Sequence, residues 1–189
     1  PRPRRIRFAG PSFSGSHRFV SMFQLTPPRD FWEAIQAYWF VHIGVITELN
    51  TWDAFNPGHL DHHLEPFYQK GISEGSLTRE TAEELLQCLW VKFNNHPAPP
   101  KVGVTAQESN TYTDFCLINM GGLKPDGSDA VNEMSFLLLD VIREMRILQP
   151  SSMVQISEKN PDAFIHAAGY GPAAIGTDPD LLNVGPVPL

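Results

Sequence analysis

Only two stretches of this 189-residue chain read as β-strand, and two strands do not make a sheet that stands alone. The first covers residues 111–120, with Thr111, Tyr112, Thr113, Phe115, Leu117 and Ile118, and Gly121-Gly122 closes it. The second runs from Met153 to Ser157 and sets Val154 and Ile156 on one face. Both need neighbouring strands, so the chain is expected to be a partly built α/β arrangement in which helices cover an incomplete sheet.

The helical signals are stronger. Pro27-Pro28 leads into Asp30, an N-cap candidate, and a helix is expected from Phe31 to Leu49. Trp32, Ile35, Trp39, Ile43 and Ile46 recur at its period, and Tyr38 to Ile46 is apolar nearly all round, which predicts burial on most sides. Asn56-Pro57-Gly58 makes a turn, followed by a short helix through Leu60, Leu64, Phe67 and Tyr68 that Pro66 is expected to kink or split. Thr78 caps a third helix, with Glu80, Glu83 and Glu84 near its positive end and Leu85, Leu86, Leu89, Trp90 and Phe93 as its stripe; Pro97, Pro99 and Pro100 stop it. Asp129 is the expected cap of a fourth, with Met134, Leu138, Val141, Met145 and Leu148 on one face and Pro150 as its end. Pro161 to Ala168 reads as a helix start. Residues 1–25 and 169–189 read as irregular.

Composition narrows the function classes. A net charge of −7 argues against general attraction to nucleic acid or anionic membrane. The one basic cluster, Arg2, Arg4, Arg5 and Arg7, alternates with prolines and reads as a solvated tail. The longest apolar run, Tyr38 to Ile46, is too short to span a bilayer, and no apolar stretch follows the arginines as a secretory signal would require. Two widely spaced cysteines suit a reducing, cytoplasmic setting. Both ends are expected to be cut edges of a longer protein.

Several segments carry a resemblance when taken in order. They are Pro28 to Phe40, Asn56-Pro57-Gly58-His59-Leu60-Asp61, Pro66-Phe67-Tyr68, Leu77-Thr78, Glu84 to Phe93, Gly121-Gly122, Asp126-Gly127-Ser128-Asp129-Ala130-Val131-Asn132 and Gln149-Pro150. In this order and spacing, residues 26–168 resemble a central part of the pyruvate formate-lyase-like glycyl-radical enzymes. The run Val41 to Phe55 looks most like isethionate sulfite-lyases, which cleave a C–S bond; choline trimethylamine-lyase, diol dehydratase, arylacetate decarboxylase and formate acetyltransferase are its neighbours.

The resemblance implies a helix-rich segment of a ten-stranded α/β barrel with the active site inside. It implies no bound cofactor. A glycyl radical, installed by a separate radical S-adenosylmethionine activating enzyme, takes a hydrogen from a cysteine, and the resulting thiyl attacks a small-molecule substrate. A homodimer is a further expectation, with no nucleic-acid or membrane partner.

The chemistry-bearing residues of that family are not matched here. Cys88 sits inside the amphipathic third helix, just before Leu89 and Trp90, and is expected in the core. Cys116 has Ile118 where the family's eliminating members place a glutamate two residues on. Gly169-Tyr170 follows His166 and Ala167 rather than the family's Arg-Val, so Gly169 is not taken as the radical glycine. The catalytic cysteine loop is expected beyond residue 189, and no catalytic residue is assigned within the chain. Phe115 is the one position taken as substrate-facing, because the family places an aromatic wall a few residues before Gly-Gly; an ordinary core phenylalanine is the competing reading. Trp52, Phe55 and Tyr112 are weaker pocket candidates. His59, His62 and His63 with Asp61 and Glu65 contain metal-ligand types, yet without a third ligand at a known spacing they read as a structural turn, and no metal is assigned.

Three functions therefore compete: part of a glycyl-radical lyase for a small substrate, a non-catalytic remnant or partner-associating scaffold of that family, and an unrelated helical binding module. The last predicts a self-contained fold without open strand edges.

Overall fold

A computed structural model describes residues 27–45, 56, 58–95, 116–170 and 182–186 of the chain. In chain order the elements are α1 (Phe31–Gly44), β1 (Gly58–His59), α2 (Leu60–Glu74), α3 (Arg79–Asn95), β2 (Leu117–Gly121), α4 (Glu133–Met145), β3 (Ser151–Ile156), α5 (Asp162–Ile165) with a π-helical turn at His166–Tyr170, and β4 (Leu182–Pro186).

The sheet has four strands, not two. They lie in the order β1-β2-β3-β4, every pair parallel. Gly58 was expected to close the turn Asn56-Pro57-Gly58, and residues 182–186 to be irregular; Gly58-His59 and Leu182–Pro186 become strands because a neighbour supplies their hydrogen bonds. Parallel strands need crossovers, and right-handed crossovers that step one way along a sheet put every helix on the same face. Alternation along the strands shows which face that is. Ile118, Met120, Ser152 and Val154 are buried, and the three apolar ones join the core of Leu64, Leu86, Trp90, Met134 and Leu138, while Leu117, Asn119, Met153 and Gln155 point the other way and are half-buried. One-way winding with a single helical face is the arrangement of a barrel wall rather than of a doubly wound sheet.

The caps explain the helix starts. The Asp30 carboxylate accepts from Glu33 N at 2.8 Å and begins α1, and Thr78 Oγ1 accepts from Thr81 N at 3.2 Å before α3. The buried Glu33 carboxylate folds back to accept from Arg29 N at 2.9 Å and from its guanidinium, and that pairing holds it below the usual glutamate range. The start of α4 differs from expectation: its cap is Asn132, which accepts from Ser135 N at 3.0 Å while Ser135 Oγ accepts from Asn132 N at 3.2 Å. Asp129 instead accepts from Val131 N and Asn160 Nδ2 in the preceding loop. The end of α4 also comes earlier than Pro150. Arg146 adopts a left-handed conformation (φ 47°) that turns the chain out and leaves Leu148, expected on the buried face, 73% exposed.

Three further expectations change. Helix α2 runs unbroken through Pro66, because burial of Leu60, Leu64 and Tyr68 on both sides of it holds the path. Helix α1 buries Phe31, Ala34, Ile35 and Trp39 but leaves Trp32 and Val41 exposed, so it is not covered on most sides within the described residues. Cys88 is exposed rather than in the core: it stands two residues after buried Leu86, about 200° round the helix.

Where α3 meets α4, Arg79 pairs with Asp140 at 2.5 Å and Gln87 donates to Glu144 at 2.8 Å. Partial burial raises the pKa of Glu83, and the neighbouring Glu144 raises it further. A carboxyl raised on folding costs stability in its ionised form, a cost present above its folded pKa and absent below its unfolded one. Glu83→Gln is therefore expected to raise the urea midpoint at pH 7, with the gain fading below about pH 4. An equal gain at pH 7 and pH 3.5 (about one unit below the free glutamate value) contradicts this account.

Candidate functional site

The C-terminal ends of β1 and β2 meet the N-terminal ends of α2 and α4, and buried polar groups collect there. Asp61, in the first turn of α2, is fully buried. Its Oδ2 accepts from Gly121 N at 2.8 Å and from Ser135 Oγ at 2.6 Å, and its Oδ1 accepts from His62 N at 2.9 Å. One side chain thus ties the end of β2 to α2 and α4. A carboxylate at a helix N-terminus is favoured by the dipole as well.

The loop after β2 is held from the same side. His62 Nε2 donates to the Ala130 carbonyl at 2.9 Å, and Asn160 Nδ2 donates to the Gly122 carbonyl and to Asp129, each at 2.7 Å. Gly122 N donates to Gln155 O at 2.8 Å, and Lys159 Nζ reaches the Gly127 carbonyl at 2.6 Å.

The histidines separate. His59 ends β1, and its ring stacks on His62 with centroids 4.9 Å apart. Its Nδ1 lies 3.7 Å from Asp61 Oδ1, too far for a hydrogen bond, and is buried without a partner. One donor atom from each of His59, Asp61 and His62 falls within 4.8 Å of the others. His63 points away and bonds the Tyr38 hydroxyl through Nδ1. Burial, then the neighbouring His62 and His59, holds His63 below the ordinary imidazole range, and burial pushes the Tyr38 phenol up. Glu65 accepts from Gln69 Nε2 and Met134 N. The five-residue set read from sequence is therefore three residues in one place and two elsewhere.

The face of the sheet free of described helices carries a row of residues in register, His59 on β1, Asn119 on β2 and Met153 on β3. Asn119 Oδ1 is also buried without a partner. Two hollows, of about 320 and 260 Å³, open on the outer helical surface instead, one near Trp32, Lys70 and Leu77, the other near Tyr38, Val41 and His63. Phe115, the expected substrate-facing residue, lies outside the described residues, as do Trp52, Phe55 and Tyr112. Cys116 is buried just before β2, and Gly169 (φ 102°) is exposed in the π-helical turn.

A profile of the pyruvate formate lyase-like family matches residues 22–173. The chain belongs to the glycyl-radical enzymes of this family. Over 141 residues it is 62% identical to trans-4-hydroxy-L-proline dehydratase of Clostridioides difficile, a match covering 75% of this chain and 18% of that relative. Over 140 residues it is 32% identical to isethionate sulfite-lyase of Oleidesulfovibrio alaskensis, covering 74% and 17%. The crystal structure of a glycyl radical enzyme from Archaeoglobus fulgidus superposes with a TM-score of 0.70 at 30% identity, covering 84% of this chain and 20% of that one. The chain thus spans about a fifth of the length of these glycyl-radical enzymes, and its four-stranded sheet with one helical face is a partial α/β segment of such a fold. Three of the segments that carry the family resemblance meet in this hydrogen-bond hub: His59-Leu60-Asp61, Gly121-Gly122 and Asp129 to Asn132. Among the described residues no helix is long and apolar enough to cross a membrane.

Proposed function

We propose that the chain is part of a glycyl-radical lyase that eliminates water from a small hydroxylated substrate of the hydroxyproline type. The observation that carries this reading is the identity of 62% to a trans-4-hydroxy-L-proline dehydratase, against 32% to an isethionate sulfite-lyase. It moves the favoured bond from the C–S of isethionate, expected from Val41 to Phe55, to a C–O bond. In the net reaction a C–O bond and a neighbouring hydrogen are lost and leave together as water.

The part played by these residues is architectural. Asp61, Gly121, Ser135 and Asn160 fix the ends of β1 and β2, and the helix-free face presents Asn119, Met153 and Gln155 toward the side where a barrel encloses its substrate. Radical storage and hydrogen transfer fall to a glycine and a cysteine elsewhere in the longer protein, and a radical S-adenosylmethionine enzyme is its activating partner. Phe115 is carried forward as a wall of the substrate pocket.

Anaerobic activation of the protein encoded by the complete reading frame tests this. The expected result is a glycyl-radical signal by electron paramagnetic resonance and consumption of trans-4-hydroxy-L-proline, with isethionate and glycerol left intact. Absence of the radical, or turnover of isethionate alone, overturns the reading.

A further inference from the structure

We infer that His59, Asp61 and His62 form a binding site for a borderline divalent cation of the Zn²⁺ or Co²⁺ class. Three observations carry it, none of which depends on the proposed reaction. First, His59 Nδ1 is buried with no hydrogen-bond partner and faces Asp61 Oδ1 at 3.7 Å. A buried unsatisfied nitrogen costs free energy and calls for an occupant. The gap is too wide for a hydrogen bond, and a cation bonded at about 2.0–2.2 Å to each atom bridges such a distance.

Second, the chemistry of the neighbours is that of ligands already oriented. Because the Ala130 oxygen can only accept, His62 Nε2 carries the ring proton. Its Nδ1 is then a lone pair. Anchoring the far nitrogen on a backbone carbonyl is the outer contact that metal-bound imidazoles make. Asp61 Oδ1 takes one hydrogen bond, from His62 N, and keeps a lone pair on the side of His59.

Third, one donor atom from each residue already lies within 4.8 Å of the others. Closing to a common ion needs the His59 ring to turn out of its stack on His62, where the planes are 17° apart. Its Nδ1 makes no hydrogen bond to break, and 28% of the side chain is open to solvent. The positive end of α2 opposes a cation here, and the buried Asp61 carboxylate offsets it at closer range. Two imidazoles and one carboxylate favour a borderline metal over Ca²⁺ or Mg²⁺ and leave one coordination position open.

The test titrates the chelator-treated chain with CoCl₂ and follows visible absorption, then competes with ZnCl₂ and MgCl₂. The expected result is one equivalent of Co²⁺ giving bands in the visible, displaced by Zn²⁺ but not by Mg²⁺, with a rise in Tm on loading. His59→Ala should weaken binding roughly a hundredfold while far-ultraviolet circular dichroism stays unchanged, and His63→Ala should leave binding intact. Absence of a one-equivalent binding event, or binding that His59→Ala leaves unaltered, overturns the site. His62→Ala is the weaker variant because it also breaks the bond to Ala130, so His59→Ala decides.

Discussion

Asp61→Ala is expected to unfold the chain or come close to it. The substitution strips the acceptor from Gly121 N, Ser135 Oγ and His62 N at one stroke. The Gly121 donor then stays buried without an acceptor at the junction of β2 and α4, and Ser135 Oγ keeps only its longer bond to Asn132 Oδ1 at 3.3 Å. Each orphaned donor costs about 1–3 kcal/mol, so a loss of about 4 kcal/mol is expected from a total that in small domains is about 5–15 kcal/mol. With a urea slope of about 2 kcal/mol per molar, the midpoint should fall by roughly 2 M. Asp61→Asn separates charge from geometry. Its single carbonyl oxygen satisfies one side of the junction and its amide faces the other as a second donor, so it should fall between wild type and alanine. A drop of less than about 0.5 M for Asp61→Ala would show that the hub does not hold the sheet to the helices.

Gly121→Ala is expected to be nearly as damaging, for a steric reason. Gly121 has φ +77°, where a side chain is strained. A Cβ there would stand 2.6 Å from Cε1 and Cζ of Phe164 and 2.8 Å from the Gln155 carbonyl oxygen. Phe164 is fully buried and sits edge-on to Phe136, so its ring has nowhere to go. Overpacking and backbone strain together should cost about 3 kcal/mol or more. The double variant with Phe164→Ala makes the account specific. Trimming the ring removes one clash, but the Gln155 oxygen and the positive φ remain. Gly121→Ala should therefore still destabilise a Phe164→Ala background, measured by urea denaturation. Full rescue would mean that the ring alone excludes a methyl group at this position.

Both predictions concern residues whose importance shows in the sequence only as resemblance. His59-Leu60-Asp61 and Gly121-Gly122 are part of the pattern that points to glycyl-radical enzymes, yet local periodicity gives no reason for either. The hydrogen bonds of Asp61 to Gly121 and Ser135 cross 60 and 74 residues. The capped starts of α1 and α3 were legible, because a cap and the backbone N–H it accepts from lie three residues apart. So were the stripes of α3 and α4, apart from their ends. Cys88 was misplaced for want of an angle: it lies about 200° round the helix from Leu86 and about 100° from Leu89, off the buried stripe.

The candidate site divides the same way. His59, His62, His63, Asp61 and Glu65 were visible as a set of ligand types, but which of them converge depends on the direction each leaves the end of β1 or the start of α2. His63 goes to Tyr38 on α1, and Glu65 goes to Gln69 and to α4.

By itself the sequence determined where α1 and α3 begin, which helix faces are apolar, and the family to which the chain belongs, since these rest on contacts within a few residues or on ordered motifs. The tertiary structure alone decided that Gly58-His59 and Leu182–Pro186 are strands and that Asp61 is the buried hub. A helix closes its hydrogen bonds within its own segment, whereas a parallel strand finds its partners only after the chain has crossed over and returned.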